Sequence, residues 1–272
     1  MEKTVRAVLP MLVYAAMQQL VLTALELLLT MGLQRAGAGE LAFYLSHEGG
    51  IAAFLEVLSV AAAFAVVLRT VRKEEITLRV SVGELRGRRM ELLAGTVGLL
   101  SLSVFLNAFL AKSGMVTADP SAAAVRAQAE RVPVFMGILV YGILSPLAEE
   151  TVFRGVTLHR LFLLGRERWE EKKAFLVAAV MSALLFGVFH GNAVQGVYAA
   201  VMGFGFCLFL ALTKSLSAVV VLHGGINVLT LLVSQNGSGF AGMSTGAMAA
   251  AGGIAACCGI CLFFLQKRKV HE

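Results

Sequence analysis

Charge is what this chain has least of. Of its 272 residues, 15% are Asp, Glu, Lys or Arg, against about a quarter in soluble domains. That shortage excludes an ordinary soluble globule and a disordered chain, both of which need charge to stay in water. Cysteine is scarce as well. Four cysteines are too few to staple a disulfide scaffold. No block of 20–50 residues recurs, which excludes repeat architectures, and no inverted symmetry links the two halves.

What is present is apolar: 58% of residues are hydrophobic and the mean hydropathy is +0.82. A bilayer core of about 30 Å needs about 20 helical residues per crossing. Eight apolar runs meet or approach that length, at 7–32, 50–68, 92–111, 132–153, 175–190, 194–213, 216–234 and 247–264. Lipid leaves backbone groups without water partners, so each run is expected to be a helix. The fold class is therefore all-α, a polytopic transmembrane bundle of about eight spans, and the chain an integral, multi-pass membrane protein. Residues 1–131 form an N-terminal three-helix region with a basic loop, 132–234 a membrane core, and 235–272 a last helix with a basic tail. The first run starts basic and is followed by small residues, but it is too long for a cleaved signal and contains Gln18, Gln19 and Glu26, so it reads as a retained helix.

The net charge of +6 is explained by topology rather than by nucleic acid. With the N-terminus inside, the segments 69–89 and 160–173 carry seven and five Lys/Arg, and the chain ends on Lys267, Arg268 and Lys269. The outer segments carry Arg35, Lys112, Arg126 and Arg131. This bias places both termini in the cytoplasm. The segment 69–90 reads as a solvated connector at the headgroups, and 112–131 as a short surface helix outside. The four cysteines lie in apolar runs, so Cys258 and Cys261 read as packing residues despite their C-x-x-C spacing.

Charge inside an apolar run costs about 2.5–3.5 kcal/mol and calls for a partner or a function. The fourth run ends Glu149-Glu150-Thr151-Val152-Phe153-Arg154. Glu150 and Arg154, four apart, share a helical face and can pair. Glu149 points about 100° away and lacks that partner. The fifth run ends Phe186-Gly187-Val188-Phe189-His190, with Gly187 and Gly191 offering a small face to another helix. The seventh contains His223-Gly224-Gly225-Ile226-Asn227, with His223 and Asn227 on one face. His47, His159 and His271 read as loop or tail residues. Three spans thus bring a carboxylate, an imidazole, and an imidazole with an amide. Glu149 and His190 can activate one water, with His223 and Asn227 donating to a developing oxyanion. The same Glu149, His190 and His223 can instead ligate zinc.

In that order on three apolar segments, Glu149-Glu150-x-x-x-Arg154, Phe186-x-x-x-His190 and His223-x-x-x-Asn227 resemble the signature motifs of the CPBP (Abi) family, the type II CAAX prenyl endopeptidases and bacteriocin-processing or immunity proteins. The resemblance covers about 134–234. It implies an intramembrane endopeptidase acting on a membrane peptide or lipidated protein, with Glu149 and His190 at the water, His223 and Asn227 at the oxyanion, and a glutamate-dependent chemistry that needs no cofactor. Zinc-dependent proteolysis, proton-coupled transport and non-catalytic immunity are the alternatives. The bilayer is an implied partner, nucleic acid is not, and the oligomeric state is left open. Glu26, Glu56 and Asn107 are expected to hydrogen-bond between helices or line cavities, Phe153, Phe186 and Phe189 to pack around the site, and Tyr198 and Trp169 to anchor at the interface.

Overall fold

The computed structural model describes residues 2–73 and 88–271 and, among these, contains no strand. The principal helices are α1 (Glu2–Leu33), α2 (Ala38–Lys73), α3 (Arg89–Lys112), α4 (Pro120–Arg131), α5 (Val134–Arg166), α6 (Glu171–Phe189), α7 (Ala193–Thr213), α8 (Leu216–Ser234) and α9 (Thr245–His271). All but α4 are long and apolar enough to cross a membrane, and the chain is an integral, multi-pass membrane protein. The helix α4 opens on Asp119, whose carboxylate accepts from the Ser121 and Ala122 amides, with Pro120 at the first turn.

Two helices are longer than the hydropathy reading. The second begins at Ala38, not at residue 50, and takes in His47, which stacks on Phe43 rather than lying in a loop. The fourth crossing does not stop at Phe153. It continues to Arg166, placing Arg154 inside the bundle and His159 on a helix. The connector reading of 69–90 falls mostly on residues outside those described, and its first five residues belong to α2.

Lipid is as apolar as leucine, so helices associate through close packing rather than through exclusion from water. Glycines supply the close approaches. A Cβ on Gly224 of α8 would strike the Gly142 carbonyl of α5, and one on Gly187 of α6 would lie 2.6 Å from the Gly196 carbonyl of α7. Gly191 takes no part in that contact. It has φ 76° and turns the chain just after α6 ends. The last helix lies along α3, where Cys258 packs onto Gly98 and Gly252 onto Phe105. Cys207, Cys257, Cys258 and Cys261 are all free thiols.

Two prolines inside helices each release a carbonyl, and each carbonyl is taken by a side chain from a different helix. Pro10 of α1 has no N–H for the carbonyl four residues back. That carbonyl, of Arg6, accepts from Arg160 Nη1 at 2.6 Å. In α5 the stretch Ile138–Leu144 is π-helical, and the Ser145 amide bonds Val140, five residues back. Pro146, next in that register, leaves the Tyr141 carbonyl without a donor. Asn227 Nδ2 of α8 supplies one at 3.0 Å. A second π stretch, Thr151–Thr157, carries Arg154, as π segments often do beside functional groups.

Candidate active site

The central group is Glu150. Its side chain and that of Arg154 are fully shielded from solvent. Glu150 Oε1 accepts from Arg154 Nη1 at 3.0 Å and from His223 Nδ1 at 2.7 Å. A carboxylate only accepts, so Nδ1 of His223 carries the hydrogen in this contact. The expected pairing of Glu150 with Arg154 is present, and α8 adds an imidazole to it. Glu150 thereby fixes the ring's orientation, as a carboxylate behind a functional histidine commonly does.

The guanidinium of Arg154 does not depend on Glu150 alone. It lies 4.2 Å from the Phe186 ring centroid and 5.4 Å from that of Phe206, so aromatic faces supplement a single hydrogen bond. Space for it comes from Gly203 of α7, where an added Cβ would sit 2.9 Å from Arg154 Nη2.

Glu149, one residue before Glu150, points elsewhere, as the helical angle requires. Its Oε2 lies 3.8 Å from His223 Nε2, and its side chain is 12% exposed. That separation is beyond a hydrogen bond, yet close enough for both groups to reach one small molecule. His223 is thus strung between two carboxylates, Nδ1 on Glu150 and Nε2 towards Glu149.

His190 sits just past the end of α6. Its Nδ1 meets the Phe186 carbonyl at 2.8 Å. A carbonyl accepts, so Nδ1 donates and Nε2 of the neutral ring is left as an acceptor. Both imidazoles lie edge-on to the Phe186 ring, His190 at 4.8 Å and His223 at 6.0 Å between centroids. The structure therefore bonds Glu150 directly to Arg154 and His223, brings Glu149 to 3.8 Å from His223, and holds His190 beside them through Phe186. Glu149 and His190 make no direct hydrogen bond or ion pair with each other among the described residues. Asn227, one turn from His223, uses Nδ2 on the Tyr141 carbonyl, a structural role that the sequence reading did not foresee. Its amide keeps a second hydrogen.

Among the described residues, no three His, Cys, Asp or Glu side chains are grouped to hold a metal ion. The set considered for zinc, Glu149, His190 and His223, does not have that arrangement. One nitrogen of each imidazole, Nδ1, is committed to Glu150 or to the Phe186 carbonyl, which leaves Nε2 of each ring as the nitrogen open to a ligand.

The first two helices contribute more than expected. Tyr14 of α1 is fully buried, its hydroxyl has no hydrogen-bond partner among the described residues, and its ring lies 5.5 Å from Phe189. It packs in the cluster that contains Ala148, Val152, Phe153 and Phe186. A lone tyrosine in an apolar run was its only signal. Four residues on, Gln18 Nε2 donates to Glu56 of α2 at 3.0 Å, as expected for a membrane carboxylate. Glu26 and Glu56 also line one cavity between these helices. Asn107 donates to the Ser103 carbonyl of its own helix and also meets the Tyr198 hydroxyl of α7, the contact between helices expected of it. Ser103 Oγ reaches across as well, to the Tyr198 hydroxyl at 2.7 Å, so Tyr198 ties α3 to α7. Trp169, just beyond α5, lies under the Lys173 ammonium at 5.7 Å.

A buried ion pair flanked by a carboxylate, two imidazoles and an amide, within a bundle that has eight membrane-length helices among the described residues, marks a polytopic membrane protein with a charged intramembrane site. Residues 131–229 match the family described as "Type II CAAX prenyl endopeptidase Rce1-like", a span that holds all three motifs. The resemblance read from those motifs is thereby shown. Over 230 residues the chain is 25% identical to the "Putative membrane peptidase YdiL" of Bacillus subtilis (strain 168), covering 82% of this chain and 86% of that relative. No solved structure matches the chain.

Proposed function

We propose that the protein is an intramembrane endopeptidase that hydrolyses a peptide bond of a membrane-associated or lipidated substrate. The observation that carries this reading is Glu149 facing His223 at 3.8 Å beside a buried Arg154–Glu150 pair. A family match to prenyl endopeptidases and a relative named as a membrane peptidase support it.

In the mechanism, Glu149 takes a proton from water, and His190, an acceptor at Nε2, orients the same water. The hydroxide formed attacks the scissile carbonyl. The developing oxyanion is met by His223 Nε2–H and the second amide hydrogen of Asn227. That role requires His223 to carry hydrogens on both nitrogens. The charges of Glu149, Glu150, Arg154 and His223 then sum to zero, which suits a site shielded from water. Glu149 passes its proton to the leaving amine. Glu150 and Arg154 touch no reacting atom and act by fixing His223.

The test is a panel of lipidated and plain membrane peptides in proteoliposomes, analysed by mass spectrometry in 18O-water, with and without a chelator. Hydrolysis by wild type puts one labelled oxygen in the new carboxyl terminus, and Glu149→Gln leaves every peptide intact. Cleavage by Glu149→Gln at the wild-type rate would refute the reading. Chelator-sensitive cleavage would show a metal the site residues gather only on binding it.

A further inference from the structure

Hydrolysis consumes one water per bond cleaved, and Glu149 lies inside an apolar bundle. Water reaches such a place along polar groups, since apolar cavities stay dry. Outside the three motifs, the first two helices hold polar groups in register. On α1, Tyr14, Gln18, Leu22 and Glu26 recur every fourth residue, and on α2 so do Tyr44, Glu48, Ala52 and Glu56. That spacing keeps each set on one slowly drifting face, and the two helices pack on each other. The α1 set extends about 18 Å along the helix axis.

The wide end of this seam is a cavity of about 170 Å³, lined by Leu22, Glu26, Tyr44, Glu48, Ala52 and Glu56. Gln128 of α4 also lines it, so it lies towards the membrane face that carries α4 and the turn between α1 and α2. At about 30 Å³ each, several waters fit there. Glu48 is answered by Arg131 at 2.9 Å. Glu56 is half-buried and accepts from a neutral amide, Gln18 Nε2, at 3.0 Å. A membrane carboxylate held by a neutral amide is stabilised further by water.

Two polar atoms are left over at the narrow end. Gln18 Oε1 and the Tyr14 hydroxyl are shielded from solvent and have no hydrogen-bond partner among the described residues. Tyr14 as a whole is fully buried, and buried polar groups of this kind are the usual partners of ordered water. Its hydroxyl interacts electrostatically with both Glu149 and Glu56. The helix α2 also packs on Ser145–Glu150, the stretch that presents Glu149. The seam thus runs from the cavity, past Glu56 and Gln18, to a hydroxyl within electrostatic reach of the proposed base.

We propose that the seam between α1 and α2 is a hydrated passage that carries water from that membrane face to Glu149, with Gln18 Oε1 and the Tyr14 hydroxyl holding the last waters before the base. Each turnover draws one water. Its oxygen and one hydrogen complete the new carboxyl group, and its other hydrogen completes the leaving amine. Glu26, Tyr44 and Glu48 form the mouth, and Tyr14 is a positioning residue that touches no substrate. The use of this water rests on the protease reading, whereas the presence of the passage does not.

The experiment is hydroxyl-radical footprinting of the full chain in proteoliposomes, read by mass spectrometry, beside kcat and KM on the peptide that wild type cleaves. Radicals generated from bound water oxidise the side chains that touch it, so Tyr14 should be oxidised although it is fully buried. Ala52→Leu and Leu22→Phe each fill the cavity, and either should cut that oxidation and kcat by at least about threefold with KM unmoved. Tyr14→Phe should lower kcat by about three- to tenfold, the worth of one neutral hydrogen bond, with KM unmoved and no loss of stability. A merely structural tyrosine would move the unfolding midpoint instead. The filled variant that keeps the wild-type midpoint is the one read, and should neither fold, kcat of Tyr14→Phe decides. An unoxidised Tyr14 overturns the passage, as does oxidation that the filled cavity leaves unchanged. Wild-type kcat in Tyr14→Phe overturns its part in supplying water. If wild type cleaves no peptide at all, the protease reading fails and footprinting alone decides the passage.

Discussion

Replacing Arg154 by Met keeps much of the side-chain bulk and strands Glu150. The carboxylate is fully buried, and its Oε1 accepts from Arg154 at 3.0 Å and from His223 at 2.7 Å. Removing one partner of such a pair costs about 3–5 kcal/mol. Loss of the contacts to Phe186 and Phe206 adds up to about 2 kcal/mol, and the surviving His223 bond offsets part of the total. A loss of about 3 kcal/mol is expected. The partner variant Glu150→Gln removes the uncompensated charge, so Glu150→Gln with Arg154→Met should recover at least half of it. Cys207 offers the assay. It is fully buried on α7, whereas Cys257 and Cys261 are exposed on α9. With Cys257, Cys258 and Cys261 changed to Ala, thiol labelling at rising denaturant reports opening of the bundle around the site. An Arg154→Met protein within about 0.5 kcal/mol of its parent would refute the reasoning, as would a double variant no more stable than the single one.

Asn227→Ala should cost about 1–3 kcal/mol by orphaning the Tyr141 carbonyl, and less than half of that when Pro146→Ala restores a backbone donor; equal losses in the two backgrounds, measured by the same unfolding assay, would contradict the carbonyl account. Gly224→Ala places a methyl group against the Gly142 carbonyl and should lower stability by about 1–3 kcal/mol, seen as an earlier thermal midpoint. Tyr14→Phe deletes a buried hydroxyl that has no partner among the described residues and should leave stability unchanged or raised, so a loss above about 1 kcal/mol would contradict that reading. His190→Ala should reduce cleavage by about 10²–10⁴-fold while the unfolding midpoint holds, and near-normal turnover would remove His190 from the water.

Much of the bundle was legible because period and length are local properties. Six of the eight runs coincide with the apolar, membrane-crossing parts of their helices to within about four residues at either end. The exceptions have a common cause. Hydropathy scores each side chain as if it faced lipid alone. Arg154 looks like a span end on that scale, yet it is neutralised by Glu150 and covered by Phe186, so α5 passes straight through it. His47 and Glu48 likewise hide the start of α2, where Glu48 is paired with Arg131 at 2.9 Å.

At the site, the shared face of Glu150 and Arg154 followed from helical spacing, and the outlying direction of Glu149 followed from the same angle. What sequence could not show is which neighbour each group meets across helices. The bond from His223 to Glu150 and the capture of the Tyr141 carbonyl by Asn227 depend on how α8 crosses α5 at Gly142 and Gly224. Tyr14 was invisible for the same reason, since its neighbours lie on α2, α5 and α6.

The most direct measurement is kcat/KM of Glu149→Gln on whichever peptide wild type cleaves, in the same proteoliposomes, beside the unfolding midpoint of both proteins. Glutamine keeps the shape and removes the base. The account predicts a loss of at least about 10²-fold with the midpoint unmoved. Activity within threefold of wild type would contradict it.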